Sequence, residues 1–274
     1  MEMASDTGHL LDEEYPLTDD QVARYRRDGH VLVRKLFEPA SLEDFQQAIK
    51  AAVARCSDET RPLDERDTYG QAFLQVMNLW EKDETVRSFV LAKRFARVAA
   101  ELMGVDGVRI LHDQALFKEP GGGITPWHQD AIYWPLDTDK TITMWMPLVD
   151  VPAEVGSMTF VTGSHLLDYR QMVAISDQSE DLLAAYVHQH DLASSTYGAM
   201  SAGDATWHAG WTMHRAPPNP TASTREVMTI IYFAAGTRVT APGSNGLRGW
   251  VTDWYPGIST GDELAHERAP LVFP

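Results

Sequence analysis

The spacing of apolar residues changes at Gly104, and this change limits the folds that the chain can adopt. Between Ser41 and Arg55, for example, apolar residues recur at the spacing of a helix that buries one face. After Gly104, strand-length apolar runs alternate with turns rich in Gly, Pro, Asn and Asp. Helices that precede a long series of strands predict a mainly β domain with flanking helices, built as a sandwich or a barrel.

The predicted helices and strands divide the chain into regions. Helix signals run from Thr18-Asp19-Asp20 to Asp28-Gly29, from Ser41 to about Arg55, from about Glu81 to Met103, and over 180–188. Strand-like runs occur at 30–36, 108–118, 141–149, 156–162, 204–215 and 226–235. We therefore expect a flexible N-terminal arm over 1–15 and a single domain over 16–274. In that domain, a helical scaffold at 16–105 precedes a strand-rich core at 106–240 and a C-terminal wrapping segment at 241–274.

Charge and cysteine content argue against several kinds of partner. The 274 residues include 39 acidic and 23 basic side chains, for a formal net charge of −16, and such a surface repels nucleic-acid phosphates. No apolar run reaches the roughly 18 residues of a membrane span. Cys56 is the only cysteine, so an intrachain disulfide is impossible, which fits a reducing compartment. We expect a cytoplasmic monomer or homodimer with no nucleic-acid or membrane partner.

Two potential metal ligands are separated by one residue in the segment WHQDAIYWP at 127–135. In an extended segment, residues i and i+2 point to the same side, so His128 and Asp130 can face one ion while Gln129 points away. Two imidazoles and one carboxylate that leave other positions open suit non-haem Fe(II). The pair therefore predicts a metal site that needs one more histidine.

The third ligand has several candidates among the downstream histidines, which are His165, His188, His190, His208, His214 and His266. His214 is favoured because Arg225 follows it by eleven residues, on what we expect to be the adjacent antiparallel strand of a hairpin. A guanidinium offers a planar fork for a carboxylate. His208 is the next candidate, and we expect it at the edge of the pocket beside the ligands. The combination predicts an oxygenase that uses iron, dioxygen and a 2-oxo acid.

Longer segments of the chain match a known family. The segments DGHVLVRKLF, KEPGGGITPWHQDAIYW, TMWMPLVDV, GSMTFVTGSH and GDATWHAGWTMHRAPPNPTASTREVMTIIYF resemble the phytanoyl-CoA hydroxylase-like Fe(II)/2-oxoglutarate dioxygenases. The resemblance implies a double-stranded β-helix, which is a cupin-like jelly roll, over the strand-rich core. It also implies that the cofactors are Fe(II) and 2-oxoglutarate.

The same resemblance implies roles for individual residues. His128, Asp130 and His214 match the iron ligands of the family, and Arg225 matches the residue that pairs with the distal carboxylate of 2-oxoglutarate. Gln114 and Trp145 fall where the family places residues beside the co-substrate. Members of the family often carry a hydroxyl residue two positions after the distal histidine, where this chain has Ala216. One co-substrate hydrogen bond must therefore come from another group or be absent.

The resemblance also implies the type of reaction. The chain has no evident basic cluster for coenzyme A phosphates, and it looks more like the bacterial members that tailor secondary metabolites, including antibiotics. We therefore expect oxidation of an aliphatic C–H bond of a small molecule, by hydroxylation, epimerisation, cyclisation or desaturation. A carboxylate at Asp130 leaves no site for a halide, so halogenation is disfavoured.

Aromatic and methionine residues near the motifs predict a largely apolar substrate pocket. The residues in question are Trp127, Tyr133, Trp134, Trp211 and Met213. The polar segments 56–69 and 166–200 are predicted lids, because long loops in compact domains are often functional. Two alternatives remain at this point. One is a metal-dependent cupin-type epimerase or lyase that needs no 2-oxo acid, and the other is a non-catalytic binding protein on the same fold.

Overall fold

The computed structural model describes residues 9–170, 172–241 and 251–274. Its helices are α1 (Asp19–Asp28), α2 (Pro39–Cys56), α3 (Thr68–Ala72), α4 (Glu84–Val90), α5 (Lys93–Met103), α6 (Asp177–Gln189) and α7 (Val251–Trp254). Its strands are β1 (His30–Val33), β2 (Leu74–Met77), β3 (Val108–Phe117), β4 (Thr125–His128), β5 (Thr141–Pro147), β6 (Thr159–Val161), β7 (Ser194–Thr196), β8 (Ala205–Ala209), β9 (His214–Ala216), β10 (Val227–Ala234) and β11 (Leu271–Phe273).

Two antiparallel sheets form the centre of the fold. The major sheet has seven strands in the order β1-β8-β5-β10-β3-β11, with β2 also paired to β3, and the minor sheet has the order β4-β9-β6-β7. From β3 to β10 the chain passes repeatedly from the major sheet to the minor sheet and back. This exchange between two facing antiparallel sheets is the connectivity of a jelly roll. The predicted fold class, mainly β with flanking helices, is confirmed.

Local signals explain where several helices begin and end. Thr18 and Gln21 form a capping box at the start of α1, and Gly29 ends that helix with a left-handed φ of 81°. The predicted helix over 81–103 is instead split into α4 and α5. The Asp83 side chain caps α4 by accepting hydrogen bonds from two backbone N–H groups. The break at Ala92, where the backbone is extended, has no glycine or proline to mark it in the sequence.

The predicted strand at 204–215 also divides, and its two parts belong to different sheets. β8 lies in the major sheet and β9 in the minor sheet. The turn between them includes Gly210, where an added Cβ would lie 2.3 Å from the Thr141 hydroxyl and 2.6 Å from the Trp134 ring. The segments that carry His214 and Arg225 were predicted to pair as a hairpin. They do not pair with each other in the described residues, because β9 and β10 lie in different sheets. The connection crosses from one sheet to the other, and Arg225 pairs with Lys118 after the end of β3.

Alternation along the strands separates the hydrophobic core from the interior between the sheets. On β5, Ile142, Met144 and Met146 belong to the main core cluster, which includes side chains of α2, α4 and α5. Thr143 and Trp145 point the other way and line a cavity. Each fully buried aliphatic side chain stabilises the fold by about 1.5–3 kcal/mol. The helices therefore hold one face of the major sheet and leave the opposite face free to form a site.

The two ends of the chain also contact this framework. Residues 1–8 of the predicted arm lie outside the described residues, whereas Leu11 is buried in the main core and the Tyr15 hydroxyl donates a hydrogen bond to the Arg34 carbonyl. Within the C-terminal segment, β11 pairs with β3, and the buried Tyr255 donates its hydroxyl hydrogen to the Leu111 carbonyl. No helix in the described ranges is both long and apolar enough to cross a membrane.

Candidate functional site

The strands of the major sheet align polar side chains in rows across its inner face. His112 on β3, Thr143 on β5 and His208 on β8 belong to one row, which is connected through Ile231 of β10. The next row contains Gln114, Thr229, Trp145 and Thr206. Except for Ile231 and Thr206, the members of these rows line one cavity. Strand pairing, rather than proximity in sequence, therefore assembles this wall of the site.

His128 and His214 face each other on the neighbouring strands β4 and β9 of the minor sheet. Their ring centroids are 4.0 Å apart. The Nδ1 atom of His128 lies 2.7 Å from the Pro126 carbonyl, and that of His214 lies 2.9 Å from the Thr212 carbonyl. Since a carbonyl can only accept, each Nδ1 carries the hydrogen, and each Nε2 presents a lone pair. Both rings are thus held in the tautomer that a metal ligand requires.

Asp130 supplies a carboxylate to the same point. Its Oδ1 lies 3.6 Å from Nε2 of His128 and 3.7 Å from Nε2 of His214. The other oxygen, Oδ2, accepts hydrogen bonds from the Thr143 hydroxyl at 3.0 Å and from Nε2 of His208 at 3.1 Å. One ligand atom from each of His128, Asp130 and His214 fits within 4.8 Å of the others. The intervening Gln129 is buried and donates its amide to the Trp211 carbonyl, away from this cluster.

Electrostatics keep these groups in their metal-binding protonation states. Burial would raise the Asp130 pKa, but His214, His208 and His128 together hold it well below its usual range. Burial lowers the pKa of His128 and His214, so both imidazoles are neutral near pH 7. The donor set of two neutral imidazoles and one ionised carboxylate fits a non-haem iron.

Arg225 places a buried cation beside the same cavity. Its residue surface is 4% exposed, and its guanidinium lies 5.2 Å from the centre of the Trp145 ring. Within the described part of the chain, its Nε and Nη1 atoms have no hydrogen-bond partner. Burial lowers the Arg225 pKa to about 10, which leaves it charged. A buried guanidinium with unpaired donors is costly unless an anion completes it, so the site fits a carboxylate ligand.

Thr125 lines this polar end of the cavity, and the buried Lys118 contacts it. Thr125 on β4 is the direct cross-strand partner of Ala216 on β9. The Lys118 side-chain nitrogen donates to the Gly123 carbonyl and to the Thr125 hydroxyl oxygen, the latter at 3.3 Å. Burial, together with the nearby Arg225, lowers the Lys118 pKa to about 6. Because the Thr125 oxygen accepts from Lys118, its own hydrogen remains able to donate to a ligand.

The cavity has a volume of about 300 Å³ and joins the His–Asp–His cluster to Arg225. Residues from several separated segments line its remaining walls, namely Tyr69, Phe73, Gln75, Met77, His112, Gln114, Leu116, Tyr133, Trp134, Trp145, Met158, Ile175, Arg215, Thr229 and Trp254. The Tyr69 hydroxyl donates to Gln75, which in turn donates to Gln114. The cavity therefore combines a cation-bearing end with aromatic walls.

The sequence-predicted pocket residues separate into two groups. Tyr133 and Trp134 line the cavity with the predicted co-substrate residues Gln114 and Trp145. The structure places Trp127 and Met213 in a different apolar cluster and Trp211 in another, outside the cavity lining. Trp127 and Met213 each precede a site histidine by one residue, so strand alternation turns them to the opposite face. Trp127 and Met213 therefore pack with residues of α6 and do not line the cavity.

Other residues of the cavity were missed by sequence reasoning. His112 could have been found from Gln114, because the two residues are on one strand at the i, i+2 spacing that shares a face. Thr125 begins the strand that carries His128. By contrast, Trp254 reaches the cavity from α7 near the C-terminus. No local pattern in the sequence predicts this contact. Of the predicted lids, the segment 166–200 contributes Ile175, and Tyr69 stands at the end of 56–69.

Comparisons with known proteins agree with this geometry. The family model for phytanoyl-CoA dioxygenase (PhyH) matches residues 25–227. A probable alpha-ketoglutarate-dependent hypophosphite dioxygenase of Stutzerimonas stutzeri is 24% identical over 234 residues, which cover 79% of this chain and 78% of that protein. Alpha-ketoglutarate is another name for 2-oxoglutarate.

Two solved structures from nogalamycin biosynthesis are similar over nearly the whole chain. The non-haem alpha-ketoglutarate-dependent carbocyclase SnoK is 27% identical with a TM-score of 0.77, covering 93% of this chain and 96% of SnoK. The epimerase SnoN, in complex with Fe3+, alpha-ketoglutarate and nogalamycin RO, is 27% identical with a TM-score of 0.76, covering 93% and 98%. The predicted family, cofactors and enzyme class are confirmed. The chain belongs to the phytanoyl-CoA dioxygenase family and is an iron- and 2-oxoglutarate-dependent oxygenase.

Proposed function

We propose that His128, Asp130 and His214 hold Fe(II), and that Arg225 binds the C5 carboxylate of 2-oxoglutarate. The observation that carries this proposal is a single cavity with the His–Asp–His cluster and a buried guanidinium that lacks an anionic partner. When bound, iron with 2-oxoglutarate and dioxygen supplies the power to oxidise an unactivated C–H bond. The residues of this chain bind and orient the reactants and exclude water.

Thr125 supplies the co-substrate hydrogen bond that Ala216 cannot. The two residues are cross-strand partners, so their side chains are neighbours on one face, with Cβ atoms about 4.5–5.5 Å apart, and both residues line the cavity. Lys118 holds the Thr125 oxygen and fixes the orientation of its O–H group. Trp145, whose ring lies beside Arg225, and Gln114 complete the surroundings of the co-substrate.

The substrate is a small, largely apolar metabolite, and the reaction is hydroxylation, epimerisation, cyclisation or desaturation of the kind found in antibiotic biosynthesis. Support comes from the aromatic lining of the cavity, including Tyr133, Trp134 and Trp254. It also comes from the similarity to SnoK and SnoN. An inorganic anion such as hypophosphite, for which the Stutzerimonas relative is named, would make little use of these aromatic walls.

We also propose the second co-substrate, the location and the oligomeric state of the protein. Dioxygen is the second co-substrate, and the protein is a cytoplasmic monomer or homodimer without a nucleic-acid or membrane partner. The net charge of −16 and the single cysteine support this view. The division into an arm, a helical scaffold, a jelly-roll core and a wrapping segment likewise stays a proposal.

A quantitative assay tests the proposed site. Purified protein with Fe(II), dioxygen and 2-oxoglutarate should release succinate in proportion to product when offered a panel of apolar ring-containing metabolites. His214→Ala should lose iron loading and turnover together, because it removes one of three protein ligands. Full iron loading in that variant would refute the ligand assignment and direct attention to His208. Product formation without succinate would instead favour the metal-dependent epimerase or lyase that needs no 2-oxo acid.

A further inference from the structure

One carboxylate on α6 joins the two strands that carry the proposed iron-binding histidines. Glu180 Oε2 accepts the backbone N–H of Trp127 at 2.7 Å, and Oε1 accepts a hydrogen from Nη1 of Arg215 at 3.0 Å. Trp127 immediately precedes His128, and Arg215 immediately follows His214. The two oxygens of Glu180 therefore hold β4 and β9 next to the two imidazoles.

The pairing of these strands is irregular at this point. Thr125 pairs with Ala216 and His128 pairs with His214, with a shift of register between the two pairs. A buried backbone N–H within such an interruption needs another acceptor, and Glu180 provides it for Trp127. Since β4 is at the edge of the minor sheet, α6 supplies a hydrogen bond to its backbone beside one proposed ligand.

Packing fixes the position of Glu180 itself. Leu183, which follows one turn later on α6, is buried in a cluster with Trp127, Met213 and Val161. A capping box formed by Ser176 and Ser179 fixes the start of the helix. The Arg215 guanidinium also lies 4.9 Å from the centre of the Trp127 ring. The carboxylate, the guanidinium and the indole thus form one connected unit outside the histidine pair.

The exposure of the Glu180–Arg215 ion pair argues against a mainly stabilising role for that pair. The side chain of Arg215 is 44% exposed and that of Glu180 is 20% exposed, and ion pairs of this kind contribute about 0–1 kcal/mol to stability. The contacts of Glu180 can still affect metal binding, because a small displacement of a strand that carries a ligand directly alters the geometry of the metal site. Groups that orient metal ligands commonly change metal affinity by about 10–100-fold when they are removed.

We propose that Glu180 is a positioning residue that fixes the relative placement of His128 and His214 and couples helix α6 to the iron site. This inference rests on the proposed iron ligands. It assigns a function to part of the segment 166–200, namely that α6 acts as a brace for the metal-binding strands.

The test compares Glu180→Ala and Glu180→Gln with a matched control, Asp181→Asn, which changes the adjacent exposed carboxylate on the same helix. Anaerobic Fe(II) affinity, the visible charge-transfer absorption of the Fe(II)–2-oxoglutarate complex, and the melting temperature are measured for each protein. Glu180→Ala should bind Fe(II) about tenfold more weakly and shift the absorption. Glu180→Gln should fall between it and the wild type, because the amide oxygen still accepts the Trp127 N–H. The control should match the wild type.

Wild-type iron affinity and an unshifted absorption in folded Glu180→Ala would overturn the proposal. An equal loss in Asp181→Asn would also overturn it, because the effect would then be a general one of helix charge. If Glu180→Ala does not fold, Glu180→Asp takes its place, since it keeps the charge but withdraws the carboxylate by one methylene. His214→Ala, measured in parallel, separates the two proposals. If His214→Ala loses iron and the Glu180 variants do not, the proposed iron ligands stand and only the positioning role of Glu180 is refuted.

Discussion

His208 donates its Nε2 hydrogen to Oδ2 of Asp130 over 3.1 Å, while Oδ1 of the same carboxylate faces His128 and His214. The two oxygens of Asp130 therefore have different partners. Thr143 also donates to Oδ2, so the carboxylate is held by two donors on the side away from the proposed iron position. A fixed carboxylate presents one oxygen to a metal without a competing rotamer.

We predict that His208→Ala weakens Fe(II) binding by about 10–100-fold, because groups that orient a metal ligand have effects of this size. His208→Gln should retain more affinity, since its amide can still donate to Asp130. The measurement is anaerobic Fe(II) titration, with His190→Ala as the control because His190 is exposed at the end of α6. Equal iron affinity in His208→Ala and the wild type would show that Asp130 does not depend on this hydrogen bond.

A second prediction concerns the charge of Arg225. Arg225→Lys keeps the positive charge but loses the planar fork, so the apparent KM for 2-oxoglutarate should rise by about ten- to a hundredfold, as expected for about 1.5–3 kcal/mol from a charge-assisted hydrogen bond. Steady-state succinate formation measures it. Arg238→Lys serves as the control, because Arg238 is an exposed arginine that donates to the Gly261 carbonyl. An unchanged KM in Arg225→Ala would remove the main support for the co-substrate site.

The sequence could predict those parts of the site that depend on local spacing. The separation of two residues between His128 and Asp130 puts both on one side, whatever the rest of the fold does. The facing direction of Trp127 and Met213 follows from the same alternation, which places them opposite the neighbouring histidines. Applied to every residue of both strands, the rule would have turned them away from the histidines, whereas the packing of α6 on that face depends on the tertiary structure.

Other features depend on tertiary structure and could not be read from the chain. The passage of 217–226 between two sheets requires knowledge of the strand order, since a hairpin and a crossing connection have similar turn residues. Glu180 reaches Trp127 from a helix 53 residues away in sequence. Trp254 lines the cavity only because the C-terminal segment packs back on it. The split of the predicted helix over 81–103 lacks a breaker residue and follows from packing.

The third prediction uses the cross-strand pair Thr125 and Ala216. Thr125→Val keeps the shape of the side chain and removes its hydroxyl, so the KM for 2-oxoglutarate should rise by roughly two- to tenfold, which corresponds to about 0.5–1.5 kcal/mol for one hydrogen bond. Adding Ala216→Ser should restore part of the affinity, because the new hydroxyl lies opposite the lost one. Succinate kinetics on both variants provide the measurement. Failure of Thr125→Val to affect the KM would show that the co-substrate finds its hydrogen bond elsewhere.

The fourth prediction concerns stability and pH. Burial and the nearby Arg225 lower the Lys118 pKa to about 6 in the folded protein, whereas an exposed lysine in the unfolded chain titrates near 10.4. Between these values the unfolded state binds more protons than the folded state. The free energy of unfolding contributed by this group therefore rises with pH above about 6, by up to about 1.4 kcal/mol per pH unit for one proton.

Lys118→Met should remove that contribution, so that its stability without 2-oxoglutarate increases less than that of the wild type between pH 6 and pH 8. Urea unfolding at a series of pH values measures the difference. Lys140→Met is the matched control, because it deletes a lysine whose ammonium donates to the Met103 carbonyl away from Arg225. Parallel stability curves for Lys118→Met and the wild type would mean that Lys118 is charged in the folded protein, and that two adjacent buried cations are tolerated at the carboxylate end of the cavity.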